Sequence, residues 1–167
     1  MNTPLDPLET RILACLVEKS MATPEYYPLT LNALTAACNQ KSNRDPVMQI
    51  SDSEALRSLN QLRDRLLASS VSMAGSRAPR YRHSLVETLL LTPPQMAILC
   101  ELMLRGPQTL GELRTRASRM VNIPDTATVQ ALLQDLANRP DGALVTMLPR
   151  QTGRREDRYG HLLSGPP

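Results

Sequence analysis

The side chains with chemistry to offer in this chain are two histidines, three cysteines and a strong excess of arginine. His83 and His161 invite a metal or acid–base reading, but no cluster of partner residues lies near either one. Imidazole needs such partners to hold a metal or to relay a proton. Cys15, Cys38 and Cys100 are odd in number, widely spaced and set among apolar neighbours, with no C-x-x-C. Neither a zinc site nor a disulfide framework follows; inert core thiols are expected. The chain contains no G-x-x-x-x-G-K-[ST], G-x-S-x-G or H-E-x-x-H string. The expectation is a non-enzymatic protein with no catalytic residue, cofactor, metal or small-molecule substrate.

The arginines point elsewhere. There are 19 basic against 16 acidic residues, a net charge of +3, and among the basic ones only Lys19 and Lys41 are lysine. The guanidinium fork matches phosphate oxygens in pairs, so an arginine bias suits nucleic-acid contacts. There is no Phe or Trp and there are only four Tyr. Rings on which unpaired bases stack are therefore scarce, which counts against a single-strand platform and leaves a duplex as the nucleic-acid candidate. The same scarcity means a core of Leu, Ile, Val, Ala and Met, a composition suited to helices.

What must position these arginines is a unit that occurs twice. Leu5-Asp6-Pro7 returns as Leu91-Thr92-Pro93, Ile12-Leu13 as Ile98-Leu99, and Pro28, Thr30, Leu31 and Leu34 as Pro107, Thr109, Leu110 and Leu113. Ala55, Leu59 and Leu62 match Val129, Leu133 and Leu136; Val71-Ser72-Met73 matches Val145-Thr146-Met147; Arg80-Tyr81-Arg82-His83 matches Arg158-Tyr159-Gly160-His161. An unchanged order of matches is the mark of an internal repeat. Each unit reads helix, helix, helix, strand, turn, strand. In the first, apolar spacing predicts helices over 7–20, 31–38 and from 51 or 52 to about 66, then strands at 69–73 and 80–83. In the second, helices begin near Pro94, Thr109 and Thr126, with strands at 143–148 and 158–162. Three helices closed by a two-stranded ribbon is the winged-helix form of the helix-turn-helix. The expected fold is mainly α with small β-hairpins (α+β), as two tandem winged-helix domains, residues 1–86 and 87–167.

Several stretches carry a family likeness: Thr23-Pro24-Glu25-Tyr26-Tyr27-Pro28-Leu29, the run from Ala37 to Val47, Gly111-Glu112-Leu113-Arg114-Thr115-Arg116-Ala117, and Arg154-Arg155-Glu156-Asp157-Arg158-Tyr159. In these the chain resembles the bacterial YceH family over nearly its whole length. The resemblance implies a tandem winged-helix protein of the bacterial cytoplasm and brings no catalytic residues with it.

In winged helices that bind duplex DNA the third helix enters the major groove and the wing touches the backbone or minor groove. Helical rotation places Arg57, Gln61 and Asp64 furthest from the core, flanked by Glu54 and Arg65. Arg pairs with guanine and Gln with adenine, each through two hydrogen bonds. The wings contribute Arg77, Arg80 and Arg82 in the first unit and Arg154 and Arg155 in the second, with Arg114, Arg116 and Arg119 adding charge beside them. The second unit's third helix has no Lys or Arg between Thr126 and Asn138, and suits protein contact or dimerisation better. In the loop 39–49, Lys41 and Arg44 have the chemistry to hold an anion; the competing expectation is a loop whose Asn and Ser side chains hydrogen-bond its own backbone. The partners expected are double-stranded DNA, a second copy of the chain or another protein. The rival reading is a protein-interaction scaffold without nucleic acid. No signal peptide is visible, and Pro93, Pro94, Gln95 and Glu101 interrupt the most apolar stretch, so no membrane span and a cytoplasmic location are expected.

Overall fold

The computed structural model describes residues 3–167. Helix α1 (Pro7–Ala22) starts at a capping box: Asp6 accepts from the Glu9 amide, and Glu9 accepts from that of Asp6. A single turn (Pro24–Tyr26) and a two-residue strand β1 (Leu29–Thr30) lead into α2 (Leu31–Cys38), capped by Thr30. After an irregular loop, Ser51 caps α3 (Asp52–Asp64). A hairpin of β2 (Ala68–Val71) and β3 (Arg80–His83) follows, its turn closed by Gly75 at φ 78°, where a Cβ is disfavoured. A short linking helix α4 (Leu85–Leu89) leads to α5 (Pro93–Arg105), α6 (Leu110–Ala117) and α7 (Thr126–Ala137). The chain ends in a second hairpin, β4 (Val145–Leu148) and β5 (Arg158–His161), with Gly153 in its turn at φ 82°.

The protein is thus a mixed α+β structure of seven helices and small antiparallel sheets among its described residues. Both hairpins form, but the expected match of Val71-Ser72-Met73 with Val145-Thr146-Met147 is corrected: Ala68 faces His83 as Val145 faces His161, so Ala68–Val71 is the counterpart of Val145–Leu148, and Met73 lies beyond β2. Tyr81 lies opposite both Leu29 and Ser70 in the sheet order β1-β3-β2. Its counterpart Tyr159 lies opposite both Gln108, in an isolated bridge, and Met147. The pairing beside each hairpin also recurs, over two residue pairs in the first half and one in the second. The two histidines match as well: Nδ1 of His83 accepts from the Leu85 amide and Nδ1 of His161 from the Leu163 amide, each at 3.2 Å.

The interior departs from the expectation of two separate cores. Residues 9–18 of α1 and 96–104 of α5 are all buried, and the apolar side chains of both halves form one continuous cluster. A helix buried on every side must lie between other elements. Here α1 and α5 pack on each other, and each also carries its own half. The contact is between equivalent positions: Cys100 Sγ donates to the Ala14 carbonyl at 3.3 Å, residues 86 apart in sequence and matched by the repeat. Like meeting like is the geometry of a two-fold interface, built here within one chain. The boundary expected between residues 86 and 87 falls within α4.

Candidate nucleic-acid interface

Helix α3 buries Ala55, Ser58, Leu59 and Leu62 and turns Arg57, Asn60, Gln61 and Asp64 outward. Arg57 and Gln61 are exposed, and neither side chain has a hydrogen-bond or ion-pair partner among the described residues. They share a shallow depression with Asp6 and Glu54. Arg77 near the tip of the first hairpin, and Arg154 and Arg155 in the second, are likewise exposed and unpaired.

The other expected contacts are engaged within the fold. Arg65 ends α3, pairs with Glu9 at 3.6 Å and donates to the carbonyls of Thr3 and Pro4. Arg80 is half-buried and donates to Pro28 O at 3.1 Å. Arg82 donates to Glu87 at 2.7 Å, a bond that holds the exposed Glu87 carboxyl below its ordinary pKa. Arg114 donates to the carbonyls of Ile123 and Pro124, and Arg116 to Gln108 Oε1.

The loop 39–49 is corrected most. Arg44 is buried, not available to an outside anion. Its Nη2 and Nη1 donate to the two oxygens of Glu18 at 2.5 and 3.0 Å, and its remaining bonds go to the carbonyls of Ala37 and Asn43. Lys41 alone of the pair is exposed. Asn39 closes the loop by bonding both the amide and the carbonyl of Ile50, at 2.8 and 2.9 Å.

This loop reaches the other half. Asp45 N–H donates to Leu104 O at 2.9 Å, Asn43 donates to Glu101, and Arg105 donates to Asn43. Arg119, from the second half, meets Glu18 and Glu101 at 2.7 Å each. Both carboxylates have side chains without solvent exposure. Burial alone would raise the Glu18 pKa, but the hydrogen bonds and charge of Arg44, helped by Arg119 and Lys19, bring it to about 2. The result is an ionic clamp, Arg44–Glu18–Arg119–Glu101, across the α1–α5 contact. Sequence reading missed it. The available signal was Glu18 and Glu101 standing inside apolar helical runs, where a charge survives only if paired.

The cysteines and histidines lie inside the fold. The three cysteines are buried and unpaired as disulfides, and burial pushes the Cys100 thiol well above its ordinary pKa. Burial lowers the pKa of each histidine to about 4. Tyr27, from the first signature stretch, accepts from the His83 amide at 2.8 Å. No group of three or more His, Cys, Asp or Glu that could hold a metal occurs among the described residues. No helix among them is long and apolar enough to cross a membrane.

A family model described as "Protein of unknown function, DUF480" matches residues 5–154. The chain belongs to the DUF480 family. Its relatives include a "UPF0502 protein" of Geobacter metallireducens, 58% identical over all of this chain and 75% of that protein. Another, from Vibrio cholerae, is 48% identical over 99% of this chain and 78% of its own length. The span matched to DUF480 takes in both halves, the clamp and the α3 face, and ends at Arg154 in the second hairpin turn.

Proposed function

We propose that this DUF480 protein is a binding protein rather than an enzyme, that its halves are winged helices, and that the first grips duplex DNA. In this reading α3 enters the major groove, with Arg57 and Gln61 on base edges and Arg77 on the backbone. Arg154 and Arg155 add phosphate contacts. The observation that carries the reading is the contrast among the arginines: Arg44, Arg65, Arg80, Arg82, Arg114, Arg116 and Arg119 are engaged internally, whereas Arg57, beside Gln61, and Arg77, in the first hairpin turn, stand exposed without partners. Guanidiniums kept free on one half's third helix and hairpin suit an external anionic lattice.

The second half favours protein contact. Ala131 and Asp135 of α7 hold the places of Arg57 and Gln61, and α7 contains no basic residue. A duplex groove walled by phosphates repels such a helix.

The test is a titration of a mixed-sequence duplex between about 50 and 200 mM salt. Binding that weakens steeply over that range, and loses roughly 0.9 of log–log slope for each phosphate-contacting arginine changed to Ala, supports the reading. Substitution of Arg57 and Gln61 should narrow the difference between favoured and unfavoured duplexes. No binding at the lowest salt would sink it and leave the scaffold reading.

A further inference from the structure

The side of α3 next to α1 carries an acid, a base and an amide in one row. Glu54, Arg57 and Gln61 follow one another at helical spacing, are all exposed, and line the same shallow depression. Glu54 is half engaged. Its Oε1 accepts from the Ser51 amide and hydroxyl, each at 3.1 Å, and so closes the cap of α3. Its Oε2 has no partner among the described residues, so the cap holds the carboxylate in place and leaves one oxygen free. The other acid of the depression, Asp6, is occupied in capping α1. Asp64 lies on the opposite side of α3, in a depression beside β2.

We infer, resting on the reading of α3 as the major-groove helix, that Glu54 is a specificity-determining residue that selects cytosine. The target duplex then contains a short element of cytosine, guanine and adenine, met in that order along α3. A carboxylate is repelled by the phosphates that wall the groove. Within the groove it is matched by cytosine, whose N4 amino group donates to it, whereas guanine and thymine present acceptors there. Glu54 therefore weakens binding to most sequences and is tolerated at the right one. Arg57 and Gln61 act by attraction instead, through paired hydrogen bonds to guanine and adenine. The spacing is suitable. At about 1.5 Å per residue, Glu54 to Gln61 spans roughly 10.5 Å, or about three base-pair steps of ~3.4 Å. The second half has no such row. Thr128, Ala131 and Asp135 hold the equivalent places, and the Thr128 hydroxyl is bonded to Asp125 at 2.7 Å. One chain thus reads one element.

The experiment selects duplexes with the full chain, at about 50 mM salt, from a pool with a randomised central segment, and sequences those retained. Enrichment of cytosine, guanine and adenine, ordered within about four base pairs, is the expected result. Affinities are then measured on the enriched duplex and on duplexes with each of these pairs changed. Changing the cytosine pair should weaken binding by the unaltered chain roughly tenfold, as befits the loss of one specific base contact. Glu54→Gln keeps the cap, because glutamine serves at the same place in a capping box. It should move the preference at that place from cytosine to adenine, and tighten binding to scrambled duplexes now that the repulsion is gone. Asp64→Asn removes an acid from the other side of α3, and should tighten binding to all duplexes alike without moving any preference. Enrichment without the cytosine, or a cytosine preference that survives Glu54→Gln, overturns the inference while leaving duplex binding by α3 intact. So does a preference that moves with Asp64→Asn instead, since the other side of the helix then meets that base. Absence of duplex binding at the lowest salt overturns the underlying reading as well.

Discussion

The first and second halves share strand pairing, histidine anchoring and turn glycines, yet differ on the surface each offers. On α3, Arg57 and Gln61 project from a helix whose Arg63 shields the sheet tyrosine; on α7 the same three places hold Ala131, Asp135 and Ala137. Positions that build the core repeat closely because both copies solve the same packing problem. Positions that face outward are free to diverge, and so carry what distinguishes one half from the other. The clamp is divided unequally too. Glu18 takes two arginines, whereas Glu101 takes Arg119 and Asn43 on one oxygen and leaves Oε2 buried without a partner.

That inequality gives the largest expected effect. Glu18→Ala strands the buried Arg44 cation and should destabilise the protein by about 3–5 kcal/mol. Glu101→Ala removes partners from the half-exposed Arg119 and should cost less, about 1–3 kcal/mol. Urea unfolding measures both. Because the apolar interior is continuous through α1 and α5, both variants should still unfold in one transition. Two separated transitions would show that the halves hold together only through the clamp.

The next effect tests what the halves have in common. Both histidines are held at about 4 by burial, below the unfolded value of 6.5. The unfolded chain therefore binds protons first. The stability owed to neutral imidazole is complete above pH 6.5 and is lost as pH falls towards 4, by up to about 1.4 kcal/mol per pH unit for each histidine. Glu18 acts lower down: its stabilisation is complete above the ordinary 4.5 and is lost as pH falls through about 2. Asn in place of each histidine keeps an acceptor near the Nδ1 position without titrating. His83→Asn with His161→Asn should flatten the upper window and leave the lower one. A slope between pH 6.5 and 4 that survives the double substitution would assign it to other groups.

How much of this was legible in the sequence depends on range. Helix and strand types follow from apolar periodicity within a few turns, and α2 and β3 begin and end where the spacing predicts. The repeat then carried the hairpin assignment from one half to the other. The link α4 was not anticipated, being a five-residue helix with one fully buried side chain, Leu85. The joining of the halves was legible in part: Ile12 to Val17 and Met96 to Leu104 are apolar on nearly every face, more than a helix covering one small core requires. Which arginines stay free was not legible. Arg44 finds Glu18 from 26 positions away, and Arg65 finds backbone carbonyls of Thr3 and Pro4. No local pattern encodes such pairings.

A graft sharpens the contrast between the two third helices. If α7 fails to read DNA only because of its residues, Ala131→Arg with Asp135→Gln should raise duplex affinity at low salt by about 1–3 kcal/mol. The reverse change, Arg57→Ala with Gln61→Asp, should lower it by a similar amount. A graft without effect, beside a damaging reverse change, would mean that α7 is never presented to the duplex. The asymmetry would then lie in how the chain approaches DNA.

The smallest effect is the most direct comparison of equivalent positions. A guanidinium over a tyrosine at the surface contributes about 0.5–1 kcal/mol. Arg63→Ala should therefore reduce stability by no more than that, because Arg63 is exposed and its other bond, to Asn60 at 3.1 Å, is also at the surface. Ala137→Arg should return a similar amount if the second ring can be covered in the same way. Equal and opposite changes in unfolding midpoint would mean that the second half forgoes available stability by keeping Ala137. A destabilised Ala137→Arg would mean instead that the space beside Tyr159 differs in shape from that beside Tyr81.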